Sequence, residues 1–182
     1  MPQVTAWEEF FDPGSILEQL GLDSSCNDVV EFGCGYGTFT LPAAQRVNGT
    51  VYAIDIDATM LETARRRAEQ IGSDNIEFIR RDFINDGTGL ASGSVDFAMV
   101  FNILHHDEPI DLLREAHRNL KSGGRLGIIH WNFDPDTPRG PPMNVRPRPE
   151  QCKAWAETAG FVSHGDALAL PPHHYGMVLI AT

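Results

Sequence analysis

Glycines at positions 33, 35 and 37 follow directly on the short run DVVEF, and the next two strand-like runs, TVYAIDI and NIEFIRRD, end near the acids Asp55 and Asp82. Gly33, Gly35 and Gly37 suit a tight turn whose φ angles side-chained residues resist and whose bare backbone a ligand can approach. The N–H groups of the helix start that follows point at any anionic or polar group docked above them. A carboxylate a little over twenty residues beyond the first glycine, here Asp55, can take both hydroxyls of a ribose. Asp82 stands beside Phe83, an acid next to an aromatic ring. Three successive strand ends therefore offer a combination that fits an adenosine.

Other chemistry-bearing residues are less ordered in pattern. His105 and His106 follow Asn102 and Ile103 at the end of the run VDFAMVF, His130 ends RLGIIHW, and His173 and His174 precede Tyr175 near the C-terminus. Adjacent histidines on extended chain point apart, so neither pair makes a chelate and no metal site is expected. His130, at a strand end, is a candidate general base because free imidazole titrates near neutrality. His105 and His106 are candidates either for a substrate role or for a polar wall, with Asp107 as an expected helix cap. Cys34 has no base patterned beside it and reads as a small side chain in a tight loop. Asp57 reads as a cap, Asp86 as a loop charge, and Met60 as helix core within reach of a nucleoside.

Strands and helices alternate around these positions. Between the strand-like runs lie helical patterns at Thr38 to Val47, Ala58 to Ile71 and Asp107 to Leu120. This rhythm predicts βαβ units and a parallel sheet covered on both faces. After a helix near Glu150 to Ala159, the runs FVSHGDALAL and YGMVLIAT are separated only by PPHH, too short for a crossover, so the last strand should be antiparallel. The prolines of DPDTPRGPPMNVRPRP, residues 134–149, forbid regular structure over most of a long loop at the end of a central strand, where α/β sheets bind ligands. An N-terminal helical segment, residues 1–27, is expected to pack on a single domain spanning 28–182.

A chain of 182 residues, 42% hydrophobic and 21% charged, is long enough for one substantial core. A formal net charge of -11 argues against a nucleic-acid partner, which needs clustered Lys and Arg. Three cysteines without paired spacing fit a reducing cytoplasm, no apolar run reaches the length of a membrane span, and the N-terminus lacks the pattern of a signal peptide.

The motifs EFGCGYGTF, AIDID, RRDF, VDFAMVFNILHH and LKSGGRLGIIHW stand in the order and spacing of those of seven-stranded S-adenosylmethionine-dependent methyltransferases, which the chain resembles from Asp28 to Thr182. The resemblance implies a Rossmann-like three-layer α/β sandwich with a mostly parallel seven-stranded sheet and an antiparallel last strand. It implies S-adenosylmethionine as cofactor, with S-adenosylhomocysteine as product. By motif, Glu31 would reach the methionine end, and Gly33, Gly35 and Gly37 would form the floor. Asp55 would hold the ribose, Ile56 lie against the adenine, Asp82 accept from its amino group beside the Phe83 backbone, and Asn102 and Ile103 line the methionine and sulfonium. A small-molecule acceptor is expected, entering between the N-terminal segment and the 134–149 loop, with Trp7, Phe10 and Phe11 as cover. Two other readings remain: an NAD(P)-dependent oxidoreductase, although its G-x-G-x-x-G would need glycine at Thr38, and a non-catalytic module that only binds the cofactor.

Overall fold

The computed structural model describes residues 12–182; Trp7, Phe10 and Phe11 lie outside the described residues. The strands are β1 (Val29–Phe32), β2 (Val51–Asp55), β3 (Ile76–Arg80), β4 (Val95–Phe101), β5 (Leu120–Trp131), β6 (Phe161–Ser163), β7 (Leu168–Leu170) and β8 (His174–Ala181). They form one sheet in the order β3-β2-β1-β4-β5-β8-β6, with β7 also on β8. Strands β1 to β5 pair in parallel, whereas β8 is antiparallel to β5, β6 and β7.

The antiparallel end of the sheet follows from the short PPHH connection. The run expected as one penultimate strand is broken in two: β6 pairs with Leu179–Ala181 and β7 with His174–Gly176 of the same neighbour. Gly165 takes a φ of 88° in the gap, which lets the chain leave the ladder and rejoin it. The eight strands thus fill the seven expected places.

Side chains of the central strands alternate between two faces with period two. Val30, Phe32, Ala98 and Val100 face Leu112, Leu113 and Ala116 of helix α4 (Pro109–Asn119) and Cys152 and Ala156 of helix α5 (Pro149–Thr158). Val29, Phe97, Met99 and Phe101 face Ile16 and Leu17 of helix α1 (Pro13–Gln19) and Ala43 and Ala44 of helix α2 (Thr40–Ala44). Helix α3 (Ala58–Gln70) closes the same layer at the edge, with Leu61 against Cys34 and Ala53. Both faces of β4 are buried, which is why its sequence is an unbroken apolar run.

Element ends follow local chemistry. Asp12 and Asp57 cap α1 and α3 by accepting from the N–H groups of Ser15 and Thr59. The helix expected over Thr38 to Val47 contracts to α2, with Pro42 in its first turn, where a missing N–H costs no ladder bond. Asp107 does not cap α4: the flanking residue is Glu108, with no side-chain cap bond.

The chain winds from β1 outward to β3, then returns past β1 to place β4 on its other side. Loops leaving β1 and β4 therefore part in opposite directions and open a crevice at the C-terminal ends of these strands, where open α/β sheets take ligands. The glycine turn leaves β1 there, and Asn102 leaves β4.

Beyond β5 one side chain gathers much of the proline-rich loop. Arg146 is buried, and its guanidinium donates to the carbonyls of Asn132, Asp134, Arg139 and Pro141 and to the Thr137 hydroxyl, with Trp131 beneath it at 5.8 Å. The prolines leave these carbonyls without ladder partners, and one planar fork of five N–H donors gathers them.

Candidate active site

Gly33 and Gly35 take φ values of 73° and 53°, so the turn after β1 is left-handed at both positions. A Cβ at Gly35 would meet nothing within 4 Å, because that face opens onto a cavity of about 490 Å³. Gly37 has another purpose. A Cβ there would stand 3.2 Å from the Ala64 Cβ, so the third glycine lets the turn pack on α3 and is not part of the cavity floor, as had been expected.

Asp55, ending β2, faces this turn. One carboxylate oxygen accepts from the Gly35 N–H at 2.9 Å and the other from the Asp57 N–H at 2.9 Å. The pair of backbone donors fixes the carboxylate at the cavity wall, and each oxygen keeps a lone pair for a further donor. Glu31, on the same wall, is buried and accepts from the buried Thr40 hydroxyl. Burial pushes its carboxyl up to about 8, the Thr40 hydrogen bond opposes this, and the nearby Asp55 charge adds to it. Burial likewise pushes the Cys34 thiol up, with Glu31 and Asp55 reinforcing it, so no thiolate nucleophile stands here.

Asn102 completes the wall in the left-handed region, at a φ of 57°, and its Oδ1 is buried without a hydrogen-bond partner. Such an acceptor, on a strained residue at a cavity, is held ready for an incoming donor. Ile103 and Ile56 lead from this cavity into a neighbouring one of about 450 Å³ that Asp82 and Phe83 help to line. Ile56 is 59% exposed, an aliphatic surface offered to the gap. The Asp82 carboxylate accepts from the Asn85 side chain and from the N–H groups of Ile84 and Asn85, and the Asn85 amide chiefly holds it below the usual range.

The histidines divide. His130, expected as a base at the mouth, is fully buried in β5; neither ring nitrogen has a hydrogen-bond partner, and burial, then His105, pushes it down to about 3. It is a neutral core ring and not a group exposed to an acceptor. Its ring meets that of His105 edge to face at 5.6 Å. His105 lines two cavities together with His106, and its titration is lowered by burial and by His106, so its free-base form predominates at neutral pH. Trp131, the next residue of β5, is buried against His174 at 4.1 Å. Sequence reasoning missed Tyr36, Phe39 and Phe101 on the cavity wall and Thr40 beneath Glu31. Phe101 alone carried a signal, as the last residue of the strand before Asn102.

A family model described as a methyltransferase domain matches residues 29–124, which hold the glycine turn, Asp55, Asp82 and Asn102. The chain belongs to this methyltransferase domain family. The aklanonic acid methyltransferase of Streptomyces sp. (strain C5) is 31% identical over 124 residues, 66% of this chain and 56% of that protein. The demethylmenaquinone methyltransferase of Lactococcus lactis is 27% identical over 116 residues, 62% of this chain and 45% of its own length. The chain thus spans about half the length of these curated relatives. A SAM-dependent methyltransferase of Aquifex aeolicus superposes with a TM-score of 0.85 at 26% identity, covering 96% of this chain and 92% of that one.

The hydrogen-bond acceptors of this cavity fit S-adenosylmethionine. Asp55 keeps lone pairs that ribose hydroxyls would need, Gly35 leaves room for close approach, and Glu31 and Asn102 have side-chain oxygens on the same wall, where a cationic amino acid end would need them. Among the described residues, no three His, Cys, Asp or Glu converge as a metal site, and no helix is long and apolar enough to cross a membrane.

Proposed function

We propose that this domain transfers a methyl group from S-adenosylmethionine to a small organic acceptor in the cytoplasm. The observation that carries the reading is the Asp55 carboxylate, clamped between the Gly35 and Asp57 N–H groups at the crevice between β1 and β4. Glu31, Asn102 and Ile103 would hold the methionine end, Asp55 the ribose, and Ile56, Asp82 and the Phe83 backbone the adenine. Gly37 supports the turn from behind. The cofactor supplies a methyl group on a sulfonium, open to in-line displacement. The chain's contribution is alignment of the acceptor and exclusion of water.

The acceptor has a place on the other side of the loop after β4. Asn102 and Ile103 line the cofactor cavity, while the next residues, Leu104 to Asp107, line a separate cavity of about 500 Å³ bounded by the Arg146 loop and α5. His105 faces that space in its free-base form and can take a proton from an acceptor hydroxyl or amine. The names of the relatives, one acting on aklanonic acid and one on demethylmenaquinone, are consistent with a small acceptor.

A thermal-shift assay followed by methyl transfer tests this. S-adenosylhomocysteine should raise the melting temperature by several degrees at a hundredfold excess over its Kd, about 2.7 kcal/mol of linkage, and NADH should not. Labelled S-adenosylmethionine should then deliver its methyl group to a small molecule of a cell extract. Protection by NADH alone would establish the oxidoreductase; tight binding with no transfer to any fraction would leave only a binding module.

A further inference from the structure

His130 is fully buried in β5, and neither of its ring nitrogens reaches a partner in hydrogen-bond geometry. A neutral imidazole carries one N–H and one bare nitrogen, and leaving them unused in a core costs stability. Burial, then His105, keep the ring uncharged, with Arg146 adding to them against the pull of the Trp131 backbone. The Tyr175 ring, 6.3 Å away on β8, offers no relief, because its hydroxyl donates to the Pro147 carbonyl and meets the Cys152 sulfur. His105 stands against His130 from the other side, edge to face at 5.6 Å. It belongs to an exposed turn that is tied to β5 beside His130, where the Asn102 N–H donates to the Ile129 carbonyl at 2.8 Å. His105 also lines both the cavity that continues from the cofactor wall and the cavity given to the acceptor.

A bare imidazole nitrogen can only accept, and a cationic N–H is the strongest donor it can receive. We propose that His130 is a positioning residue for His105: when His105 takes the acceptor's proton on one nitrogen, the N–H on its other nitrogen turns onto the bare nitrogen of His130. Exposed side chains change rotamer far faster than enzymes turn over, so the ring has time to turn. No further reagent is needed. The acceptor's O–H or N–H bond breaks and its proton passes to His105, while the acceptor atom bonds the methyl carbon. The carbon–sulfur bond breaks with its electron pair left on sulfur, which gives S-adenosylhomocysteine. His130 stays neutral throughout and holds the imidazolium with its newly protonated nitrogen toward the cavity. The catalytic meaning of this contact rests on the methyl-transfer reading; the pairing of the two rings does not.

The test is nitrogen NMR of the full chain, labelled at its imidazoles and titrated from about pH 8 to pH 4 with and without saturating S-adenosylhomocysteine. In the parent, the bare nitrogen of His130 should shift at the His105 midpoint while the His130 ring stays neutral, and His105→Gln should abolish that response. His130→Phe keeps the ring's shape and removes the acceptor. It should lower the His105 midpoint by about one pH unit or more, because the protonated form loses a hydrogen bond. The other groups around the pair are the same in both chains, so the difference isolates His130: His106, Asp107, Asp82 and Arg81 on the cavity side, His174, Tyr175 and Cys152 behind, and Arg146 on the loop. If His130→Phe does not fold, the parent titration and His105→Gln decide. A His105 midpoint that is unmoved or raised in His130→Phe, or a His130 nitrogen that ignores the His105 midpoint or still responds in His105→Gln, would overturn the proposal. Any of these alongside normal S-adenosylhomocysteine binding leaves methyl transfer standing. Failure of S-adenosylhomocysteine to bind, with the linked titration retained, defeats methyl transfer and not the pairing.

Discussion

Asp55→Ala is expected to weaken S-adenosylhomocysteine binding by at least a hundredfold in a calorimetric titration. Hydrogen bonds from two ribose hydroxyls to a carboxylate are worth about 1.5–3 kcal/mol each, and about 2.7 kcal/mol is already a hundredfold in Kd. The substitution also removes the acceptor of the Gly35 and Asp57 N–H groups, so the turn loses its clamp. Asp55→Asn, which keeps one carbonyl oxygen, should lose less. Affinity within threefold of the parent in Asp55→Ala would mean that the ribose lies elsewhere.

Glu31 should make cofactor binding release a proton. With its carboxyl raised to about 8 by burial, the free protein holds Glu31 mostly protonated at pH 7. A cationic ligand end beside it favours the carboxylate, and the proton leaves. Titrations of S-adenosylmethionine at pH 7 in phosphate and in Tris should differ in apparent enthalpy by an amount equivalent to roughly one-half to one proton released per ligand. Glu31→Gln should abolish that difference and lower affinity by about tenfold or more. The unliganded protein should carry the same signature in its stability. A carboxyl raised in the folded state contributes stability that is complete below its unfolded value of 4.5 and is lost as the pH rises through about 8. Melting temperature should therefore fall between about pH 5 and pH 8, and less so in Glu31→Gln. Identical enthalpies in the two buffers would show that Glu31 keeps its proton.

The parts of this molecule legible in its sequence are those governed by local periodicity and by the backbone. Buried parallel strands write themselves as apolar runs, and the turn after β1 needs left-handed residues, so the topology and the place of Asp55 at a strand end were legible in spacing, whereas Ile56 and Asn102 entered only with the family resemblance. Gly37 and Gly35 look alike in a sequence, yet only the approach of Ala64 on α3 distinguishes the packing glycine from the one that faces the ligand. His130 was misplaced for a related reason: strand β5 runs on to Trp131, and β8 beside it buries the ring, a pairing between residues far apart in the chain. The Thr40–Glu31 contact and the gathering of loop carbonyls by Arg146 are likewise tertiary, with no periodic trace. Proline content identified the 134–149 loop and could not tell that the Arg146 guanidinium gathers its first half, with the Tyr175 hydroxyl donating to Pro147 at its end.

The most direct measurement is a crystal structure of the chain with S-adenosylhomocysteine. Both ribose hydroxyls should lie within hydrogen-bond distance of the Asp55 carboxylate, the adenine against Ile56, and the amino acid end near Glu31, Asn102 and Ile103. Nucleoside density away from the Gly33–Gly35 turn and Asp55 would contradict the cofactor assignment, and the assignment of activity with it.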